Sequence, residues 1–389
     1  MAQGMCFWSR NAIRSCPKCN DVKPIIVVGG GPAGSNCARA IALLGYPVVL
    51  LEGCLARKTQ QIETCSASVR RTLENVCGSL PPTVLGDLDT FHSTWGSSEP
   101  EARRFHFWQA GSGARISRAG LDLSLLDAAE RSGATVLRGH RARTGRSEGA
   151  DWIVAVENQA GTFELSGCFV VEAMGGIARS PFQPGNSRIF TDNLICLSAD
   201  IPDIESDNAI AAVEAVPEGW WFTTALDGRR TVSMFTDADL LPAPMAWRDW
   251  FTSVLSRTHH ITSIIPNAVP KRIVATSART SVRRRVWRNS WLAIGDSART
   301  VDPLSGGGIG RALEDGQEGA EAVFRAVVKG ETATLRSFAV QTVERFIQAE
   351  TIRRLYYCNE GRWQFAPFWR RRVEALTAAS GQPITGPDA

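Results

Sequence analysis

The stretch KPIIVVGGGPAGSNCARAIALLGYPVVLLE, residues 23–52, decides the fold class. Its apolar run Ile25–Val28 is typical of a strand that is buried on both faces. Pro32 suits the first turn of the helix that follows. Val48–Leu51 then forms a second apolar strand, which ends at Glu52. The order of these segments predicts a strand–helix–strand unit of an α/β protein.

The turn between this first strand and the helix carries the G-x-G-x-x-G spacing of a dinucleotide site. Gly29 turns the chain, Gly31 lets a pyrophosphate approach the backbone, and Gly34 lets the helix pack closely on the strand. Ala33 is one of several small residues that allow the same close approach. The terminal acid, Glu52, is placed to accept hydrogen bonds from a ribose. We therefore assign all five residues to cofactor binding.

Length and composition exclude several classes of protein. A chain of 389 residues has room for two or three domains. The net charge of +4 is too small and too scattered to indicate nucleic-acid binding. No apolar run is long enough to span a bilayer, and no signal peptide is visible, so we predict a cytoplasmic protein without integral membrane association. Residues 1–22, with the isolated pair Cys16 and Cys19, are predicted to be a poorly ordered leader.

Two later segments look like further parts of the same cofactor site. CFVVEAMGG, residues 168–176, is another buried strand that ends in small residues. WLAIGDSARTVDPLSGGGIG, residues 291–310, joins a strand, an acidic turn and a helix start rich in glycine. The N-terminus of such a helix presents free N–H groups and the positive end of the helix dipole, which favour an electron-rich ligand.

These segments resemble the large superfamily of FAD monooxygenases and reductases that includes para-hydroxybenzoate hydroxylase. The resemblance implies FAD as the cofactor and a Rossmann-like FAD-binding domain. It places Asp296 on the ribityl chain of the flavin and Pro303 with Gly306, Gly307 and Gly308 against the isoalloxazine. The segment ARISRAGLDLSLLDAAERSGATVL, residues 114–137, matches another superfamily pattern and implies that Arg118 lies near the cofactor.

Further segments resemble the tryptophan-halogenase-like flavoproteins, and most of all those that mature peptidyl tryptophylquinone cofactors. They are STWGSSEP (93–100), EGWWFTTALDGRRTVSMFTDADLL (218–241) and YYCNEGRWQFAPFWRRR (356–372). The halogenase lysine is missing between Glu63 and Trp95, and so is the W-x-W-x-I-P signature, so halogenation is not expected. Of the acidic motif expected near residue 63, Glu63 alone remains.

The middle of the chain has recurrent strand-like runs separated by turns, which predict an antiparallel sheet over the flavin. We predict a discontinuous FAD domain of residues 23–183 and 286–330, a substrate domain of residues 184–285 with this antiparallel β-sheet, and a C-terminal helical segment of residues 331–389. Trp95, Trp220 and Phe222 are candidates for a substrate wall, with ordinary core packing as the alternative.

His92 and His106 are candidate catalytic bases, together with Glu63, and structural roles are the alternative for both histidines. The histidine spacing gives no indication of a metal site. The resemblance implies an FAD-dependent monooxygenase that hydroxylates an electron-rich aromatic ring with O₂. The implied substrate is a tryptophan side chain in a peptide or protein. If this polypeptide is acidic, the Arg-rich C-terminal segment would help to dock it.

Several alternatives remain open at this stage. The chain could hydroxylate a small aromatic molecule, reduce isoprenoid-type double bonds, or act without catalysis as a flavin-binding chaperone. The electrons would come either from NAD(P)H directly or from a separate flavin reductase. The sequence has no second G-x-G-x-x-G motif that would mark a separate NAD(P)H domain, and this absence does not decide between the two donors.

Overall fold

The computed structural model describes residues 22–54, 61–104, 111–176, 179–203, 209–265 and 270–380. The described strands, in chain order, are β1 (Ile25–Val28), β2 (Val48–Glu52), β3 (Ile62–Cys65), β4 (Leu85–Leu88), β5 (Thr90–Thr94), β6 (Glu101–Arg104), β7 (Gly113–Ser117), β8 (Thr135–Arg138), β9 (Arg141–Glu148), β10 (Asp151–Asn158), β11 (Gly161–Gly167), β12 (Phe169–Glu172), β13 (Arg188–Phe190), β14 (Leu194–Pro202), β15 (Ile210–Val216), β16 (Gly219–Leu226), β17 (Arg229–Asp237), β18 (Val274–Ser277), β19 (Ser281–Arg283), β20 (Trp287–Arg288), β21 (Trp291–Ala293) and β22 (Arg299–Thr300). The described helices are α1 (Pro32–Leu43), α2 (Ala67–Cys77), α3 (Arg118–Arg131), α4 (Trp247–Leu255), α5 (His260–Ile264), α6 (Gly308–Lys329), α7 (Ala333–Cys358) and α8 (Pro367–Ser380). The predicted leader lies outside the described residues except for Val22.

A six-stranded sheet in the order β20-β21-β12-β1-β2-β8 forms the centre of the cofactor domain. β1 lies between β12 and β2 and pairs in parallel with both. Every residue of β1 and β12 is buried, as the uninterrupted apolar runs predicted. The core around this sheet includes side chains of α1, α6 and β10. This arrangement confirms the predicted Rossmann-like α/β class.

A seven-stranded sheet in the order β18-β14-β17-β16-β15-β5-β6 forms the second large layer. Its neighbours pair antiparallel except β15 and β5, which are parallel. β5 and β6, within residues 90–104, belong to this sheet, although the sequence-based division placed them in the cofactor domain. The division missed them because they join the sheet at its edge, far along the chain from their partner β15.

The two faces of the seven-stranded sheet have different coverings. On one face Trp221 is completely buried and packs with Phe251 of α4. On the other face Trp220 and Phe235 pack with Tyr357 of α7 and Trp369 of α8. Successive residues of a strand point to opposite faces, which is why the neighbours Trp220 and Trp221 enter different cores. The C-terminal helices therefore complete an aromatic core on the face that carries Trp220.

Candidate cofactor and active site

The first glycine turn has the close backbone contacts that its spacing predicts. Gly29 has a φ of +107°, and a Cβ there would lie 2.3 Å from the carbonyl oxygen of Ala173, which follows β12. A Cβ on Gly34 would lie 1.9 Å from the carbonyl oxygen of Gly29. Both positions therefore require glycine. Gly31 is the N-cap residue of α1.

Glu52 is fixed at the end of β2 by two backbone donors. Its carboxylate accepts a hydrogen bond from the amide of Gly30 at 2.6 Å and another from the amide of Cys54 at 2.6 Å. Each carboxylate oxygen keeps further acceptor capacity. Glu52 thus stands beside the glycine turn with its orientation set, as a ribose-binding acid requires.

The Gly-Asp turn after β21 lies against the first glycine helix. Gly295 has a φ of +56°, and a Cβ there would lie 2.7 Å from the Cβ of Ala33 in α1. A Cβ on Gly316 of α6 would lie 2.5 Å from the carbonyl oxygen of Ala33. Segments about 260 residues apart in sequence therefore form one compact site. Ala33 is the point at which they meet.

Asp296 is the second residue of this turn, and its side chain is exposed. Burial by the surrounding protein nevertheless raises the pKa of Asp296, while the positive charges of Arg118, Arg311 and Arg188 oppose that rise. A carboxylate there can accept hydrogen bonds from ligand hydroxyls.

The glycine-rich start of α6 leaves open space. Pro303 begins a short 3₁₀ helix, Pro303–Ser305, and Gly306 takes a left-handed conformation with a φ of +61°. Gly307 is the N-cap residue of α6, which has no side-chain cap and no acidic residue in its first turn. A Cβ on Gly306 or on Gly308 would meet no atom within 4 Å. The free N–H groups at the start of this 22-residue helix therefore face space that no described side chain fills.

Arg118 joins this site through two carboxylates. Its Nη1 donates to Oε1 of Glu63 at 2.9 Å, and its Nε donates to Oδ1 of Asp122 at 3.0 Å. Burial alone would lower the pKa of Arg118, but the charges of Glu63 and Asp122 raise it overall. The charges of Arg118 and Glu63 act in opposite directions on the pKa of Asp296: Arg118 lowers it and Glu63 raises it.

A polar strip on the seven-stranded sheet adjoins Glu63. We define it as Cys196, Ser198 and Ser233, which are all buried. The Ser198 hydroxyl lies 2.9 Å from the Ser233 hydroxyl and 3.1 Å from Sγ of Cys196. It also accepts a hydrogen bond from the side-chain amide of Gln61 at 3.0 Å. The negative charge of Glu63 contributes to the raised pKa of the Cys196 thiol, after burial as the main cause.

Sequence reasoning missed the arginines that hold the Gly-Asp turn. Arg188 donates to the carbonyl oxygens of Asp296 and Ser297, each at 3.0 Å, and burial lowers its pKa to about 10. Arg283 donates to the same Ser297 carbonyl at 2.8 Å and pairs with Glu172 at 2.8 Å. Glu172 ends strand β12 in the quoted CFVVE run, and that position at a strand end was the signal available in the sequence.

The candidate substrate residues have different surroundings. Trp220 is 2% exposed, stacks on Phe235 with ring centres 3.9 Å apart, and donates from Nε1 to the Tyr357 hydroxyl at 3.0 Å. It is therefore a core residue, and we do not place it in a substrate wall. Trp95 is half-buried and packs edge-on against Trp369 and other rings of the same core. Phe222 is half-buried beside this core and stays a candidate.

His92 lies away from the cofactor segments. Its Nδ1 is 2.8 Å from Nε2 of His260 at the start of α5. Its strand partner Ala212 packs in the core on the α4 and α5 face, opposite Trp220. The structure therefore gives no support to His92 as a catalytic base. His106 lies outside the described residues.

The cofactor site fits FAD by its donor set and its shape. Two glycine turns need backbone without side chains, Glu52 and Asp296 present carboxylates for sugar hydroxyls, and the uncapped start of α6 faces open space. No group of three or more His, Cys, Asp or Glu that could hold a metal ion occurs among the described residues. Within the same residues, no helix is long and apolar enough to cross a membrane.

Comparison with known proteins gives the family. The model of the tryptophan halogenase family matches residues 109–382, which is more than half of the chain. The chain belongs to this family. A second model, for glucose inhibited division protein A, matches residues 24–74, the first glycine unit. This member of the tryptophan halogenase family is an FAD-dependent oxidoreductase, as the sequence motifs predicted.

The proteins similar to this family member include an oxidoreductase, a reductase and a dihydroxylase. It is 26% identical to the putative FAD-dependent oxidoreductase LodB of Marinomonas mediterranea, over 91% of this chain and 98% of LodB. It is 25% identical to the digeranylgeranylglycerophospholipid reductase of Methanosarcina acetivorans, over 80% of this chain and 78% of the reductase. The peptidyl tryptophan dihydroxylase QhpG has a similar fold, with a TM-score of 0.77 at 22% identity, over 90% of this chain and 79% of QhpG.

Proposed function

We propose that this protein is an FAD-dependent monooxygenase that hydroxylates a tryptophan side chain carried on a peptide or protein. The observation that carries the proposal is the position of Glu63 on β3, where it pairs with Arg118 and directly follows the segment whose Gln61 side chain donates to Ser198 of the polar strip. That position supplies an ionisable carboxylate where cofactor segments and substrate sheet meet. The similarity to QhpG supports tryptophan as the ring, since QhpG acts on peptidyl tryptophan.

The residues of this chain would divide the work among binding, orientation and proton transfer. The carboxylates of Glu52 and Asp296 would hold the hydroxyls of the cofactor, and the α6 N-terminus would stabilise negative charge on the reduced flavin. Bound FAD, once reduced by its electron donor, would supply the two electrons with which one atom of O₂ becomes water while the other atom becomes the ring hydroxyl. Glu63 would accept the proton that the ring carbon loses when its C–H bond becomes C–O.

The lysines that the structure describes also favour hydroxylation over halogenation, whereas Lys18 and Lys58 lie outside the described residues. Lys23, Lys271 and Lys329 are the described lysines, and all three side chains are exposed. A lysine that passes an oxidised halogen to the substrate needs a place in the active-site cavity. Hydroxylation needs no such residue, which is a further reason to prefer it.

The test is incorporation of ¹⁸O. The full-length protein, loaded with FAD and chemically reduced, is mixed with ¹⁸O₂ and three arms of substrate: free tryptophan, a tryptophan-containing peptide, and a peptide with phenylalanine instead. We expect mass spectrometry to find ¹⁸O on the tryptophan ring of the peptide alone. Labelled free tryptophan would support the small-molecule alternative, and no ¹⁸O in any arm would contradict the proposal.

Glu63→Gln tests the catalytic assignment within the same assay. The amide keeps an acceptor for Arg118 but accepts no proton, so we expect hydroxylation to slow by about a hundredfold or more with FAD affinity unchanged. Glu99→Gln, at an exposed loop position, is the control. Equal rates for both variants would remove Glu63 from the mechanism without affecting the ¹⁸O result.

A reductase of isoprenoid-type double bonds is the second candidate, because the archaeal reductase is a relative of similar identity. That reaction requires an apolar channel beside the flavin, whereas the polar strip lines the adjoining sheet face. Anaerobic incubation of the reduced protein with a geranylgeranyl lipid decides between them. Addition of hydrogen to the lipid would favour the reductase.

The electron donor, NAD(P)H or a separate flavin reductase, belongs to the same proposal. Anaerobic mixing of the FAD-loaded protein with NADH or NADPH, followed by absorbance, tests direct transfer. Rapid loss of the oxidised flavin band would assign NAD(P)H as the direct donor. Loss of the band only after a flavin reductase is added would assign the two-component arrangement.

A further inference from the structure

A cavity of about 230 Å³ lies between α7, α8 and the loop before β14, apart from the residues assigned to the cofactor. Four arginines share in its lining with two aspartates and the ring of Tyr357. They are Arg353, Arg354, Arg371 and Arg372. The volume is below that of pockets for drug-sized ligands, so the cavity suits a small group.

The two aspartates of the cavity already have their hydrogen-bonding partners. Asp192 accepts from Arg353 at 2.6 Å and from the backbone amides of Leu194 and Thr280. Asp237 accepts from Arg372 at 2.9 Å and from Arg371 at 3.2 Å. Neither carboxylate is therefore positioned to receive a cationic ligand.

The arginines, in contrast, have donors to spare. The Nε–H groups of Arg353, Arg354 and Arg372 are buried and have no acceptor among the residues that the structure describes. Arg354 makes no ion pair with any residue that the structure describes. Buried donors without acceptors are unfavourable, and an acceptor-bearing ligand in the cavity reduces that cost. The spare N–H donors of the lining favour a ligand that carries acceptor oxygens.

The surrounding charges limit how strongly negative this ligand can be. Glu350 pairs with Arg353 at 2.8 Å, Asp239 pairs with Arg371 at 2.7 Å, and Asp302 lies 4.0 Å from Arg353. With Asp192 and Asp237 they make five carboxylates against four guanidinium groups, so the cavity has no net positive charge. A singly charged group with two acceptor oxygens is therefore favoured over a doubly charged phosphate.

We propose that this cavity is a carboxylate-binding site in which the Arg354 guanidinium is the principal partner. Arginine and carboxylate match in geometry, because two N–H donors can reach two oxygens in parallel. The carboxylate could belong to a free organic acid or to an acidic side chain of a polypeptide. The site stands independently of the proposed hydroxylation, since its occupation requires no flavin chemistry.

Binding to the full-length, FAD-loaded protein tests the site. Isothermal titration calorimetry with glutarate, against chloride at equal ionic strength, is expected to give saturable binding that glutaramide does not give. Arg354→Gln is expected to weaken binding at least tenfold, and Arg354→Lys, which keeps the charge without the planar fork, less than Arg354→Gln. Arg336→Gln, an exposed arginine of the same helix outside the cavity, is expected to bind like the parent protein.

Further arms identify the source of the carboxylate and the outcomes that overturn the site. A capped peptide with one internal glutamate that binds more tightly than glutarate assigns the site to a polypeptide, and the reverse order assigns it to a free acid. Tighter binding of inorganic phosphate would overturn the carboxylate assignment. Equal affinity in Arg354→Gln and the parent, or no heat beyond that of chloride, would overturn the site itself. Circular dichroism of each variant confirms that it is folded.

Discussion

At the scale of single residues, the site depends on a few groups that the protein holds at a cost to its own stability. Asp296 is the main example, because burial raises its pKa and its carboxylate is thus unfavourably placed without a ligand. Gly308 is a second example. It has no side chain, and the space at this helix start therefore stays open. Such residues are better explained by cofactor binding than by folding.

Asp296→Asn separates the contribution of this carboxylate to cofactor binding from its contribution to folding. A carboxyl whose pKa is raised on folding destabilises the folded state when it is ionised, so the neutral amide should leave the melting temperature of the apoprotein at pH 7 unchanged or higher. We expect FAD affinity to fall by about ten- to a hundredfold, because a hydrogen bond to a charged group contributes about 1.5–3 kcal/mol. Fluorescence titration with FAD measures this. Asp249→Asn, exposed in α4, is the control, and unchanged FAD affinity in Asp296→Asn would refute the assignment.

Gly308→Ala tests whether the space at the α6 start belongs to the cofactor. Alanine is the better helix former by about 1 kcal/mol, and its Cβ meets no protein atom within 4 Å, so we expect no loss of thermal stability. We expect weaker FAD binding, because the methyl group occupies the open space. Gly34→Ala is the contrasting variant, whose Cβ collides with the Gly29 carbonyl and should destabilise the fold. Full FAD affinity in Gly308→Ala would mean that the space serves another purpose.

At the scale of secondary-structure elements, the seven-stranded sheet separates two functions. One face carries the polar strip and the aromatic core beneath α7 and α8. The opposite face is covered by α4 and α5. There Glu214 accepts hydrogen bonds from three backbone amides at the start of α5, and His92 contacts His260. The histidine pair therefore joins a sheet edge to a helix rather than serving the flavin.

This histidine contact should make the protein sensitive to acid. Burial lowers the pKa of both His92 and His260, so the unfolded chain binds protons more readily than the folded protein. The stability that the pair contributes is present above the ordinary histidine pKa of 6.5 and is lost as the pH falls below it. We expect His260→Gln to lose less thermal stability between pH 7.5 and about 5.5 than the parent protein, as measured by differential scanning calorimetry.

The control for that measurement is the adjacent histidine. His259 is exposed and makes no ring contact with His92, so His259→Gln should retain the acid sensitivity of the parent protein. Equal acid sensitivity in His260→Gln and the parent would show that the pair does not govern it.

At the scale of the whole molecule, the C-terminal helices are connected to the cofactor loop. The Tyr357 hydroxyl donates to Asp302 at 2.9 Å and accepts from Trp220 of the seven-stranded sheet. Asp302 in turn accepts from the amide of Leu304 at 2.9 Å, just before the glycine start of α6. One buried hydroxyl thus links α7, the antiparallel sheet and the segment that precedes the cofactor helix.

Tyr357→Phe is expected to weaken both the fold and the cofactor site. It leaves the Nε1–H of Trp220 and the carboxylate of Asp302 buried without this partner, at a cost of about 1–3 kcal/mol. Chemical denaturation should show that loss, and FAD titration should show weaker binding through the altered loop. Tyr356→Phe, whose side chain is exposed, is the control. A Tyr357→Phe protein with the stability and FAD affinity of that control would exclude the proposed connection.

The Arg-rich C-terminal segment makes ion pairs within the molecule. The sequence suggested a surface that docks an acidic partner. In the structure Arg371 and Arg372 pair with Asp237, and Arg371 also pairs with Asp239. These cations are therefore partly neutralised inside the molecule, and the proposed carboxylate site gives the role of anion partner to Arg354 of α7.

The sequence by itself determined the features that depend on local spacing. The glycine turn of residues 29–34, its flanking buried strands and the Gly-Asp and glycine-helix segment follow from backbone requirements within a few residues. So does the division of Trp220 and Trp221 between two faces, because strand alternation is local. The fold class was therefore predictable before any tertiary structure, and the FAD-dependent character was predictable from the resemblance that these segments carry.

Only the tertiary structure decided which side chains share a site. It paired Glu63 with Arg118, turned His92 toward His260, placed Trp220 in the aromatic core, and brought α7 and α8 around the arginine cavity. It also joined β5 and β6 to the antiparallel sheet. These contacts connect residues that are 55 to 168 positions apart, as with Glu63 and Arg118 or His92 and His260. Local spacing carries no information about such distances, because they are set by how whole layers pack.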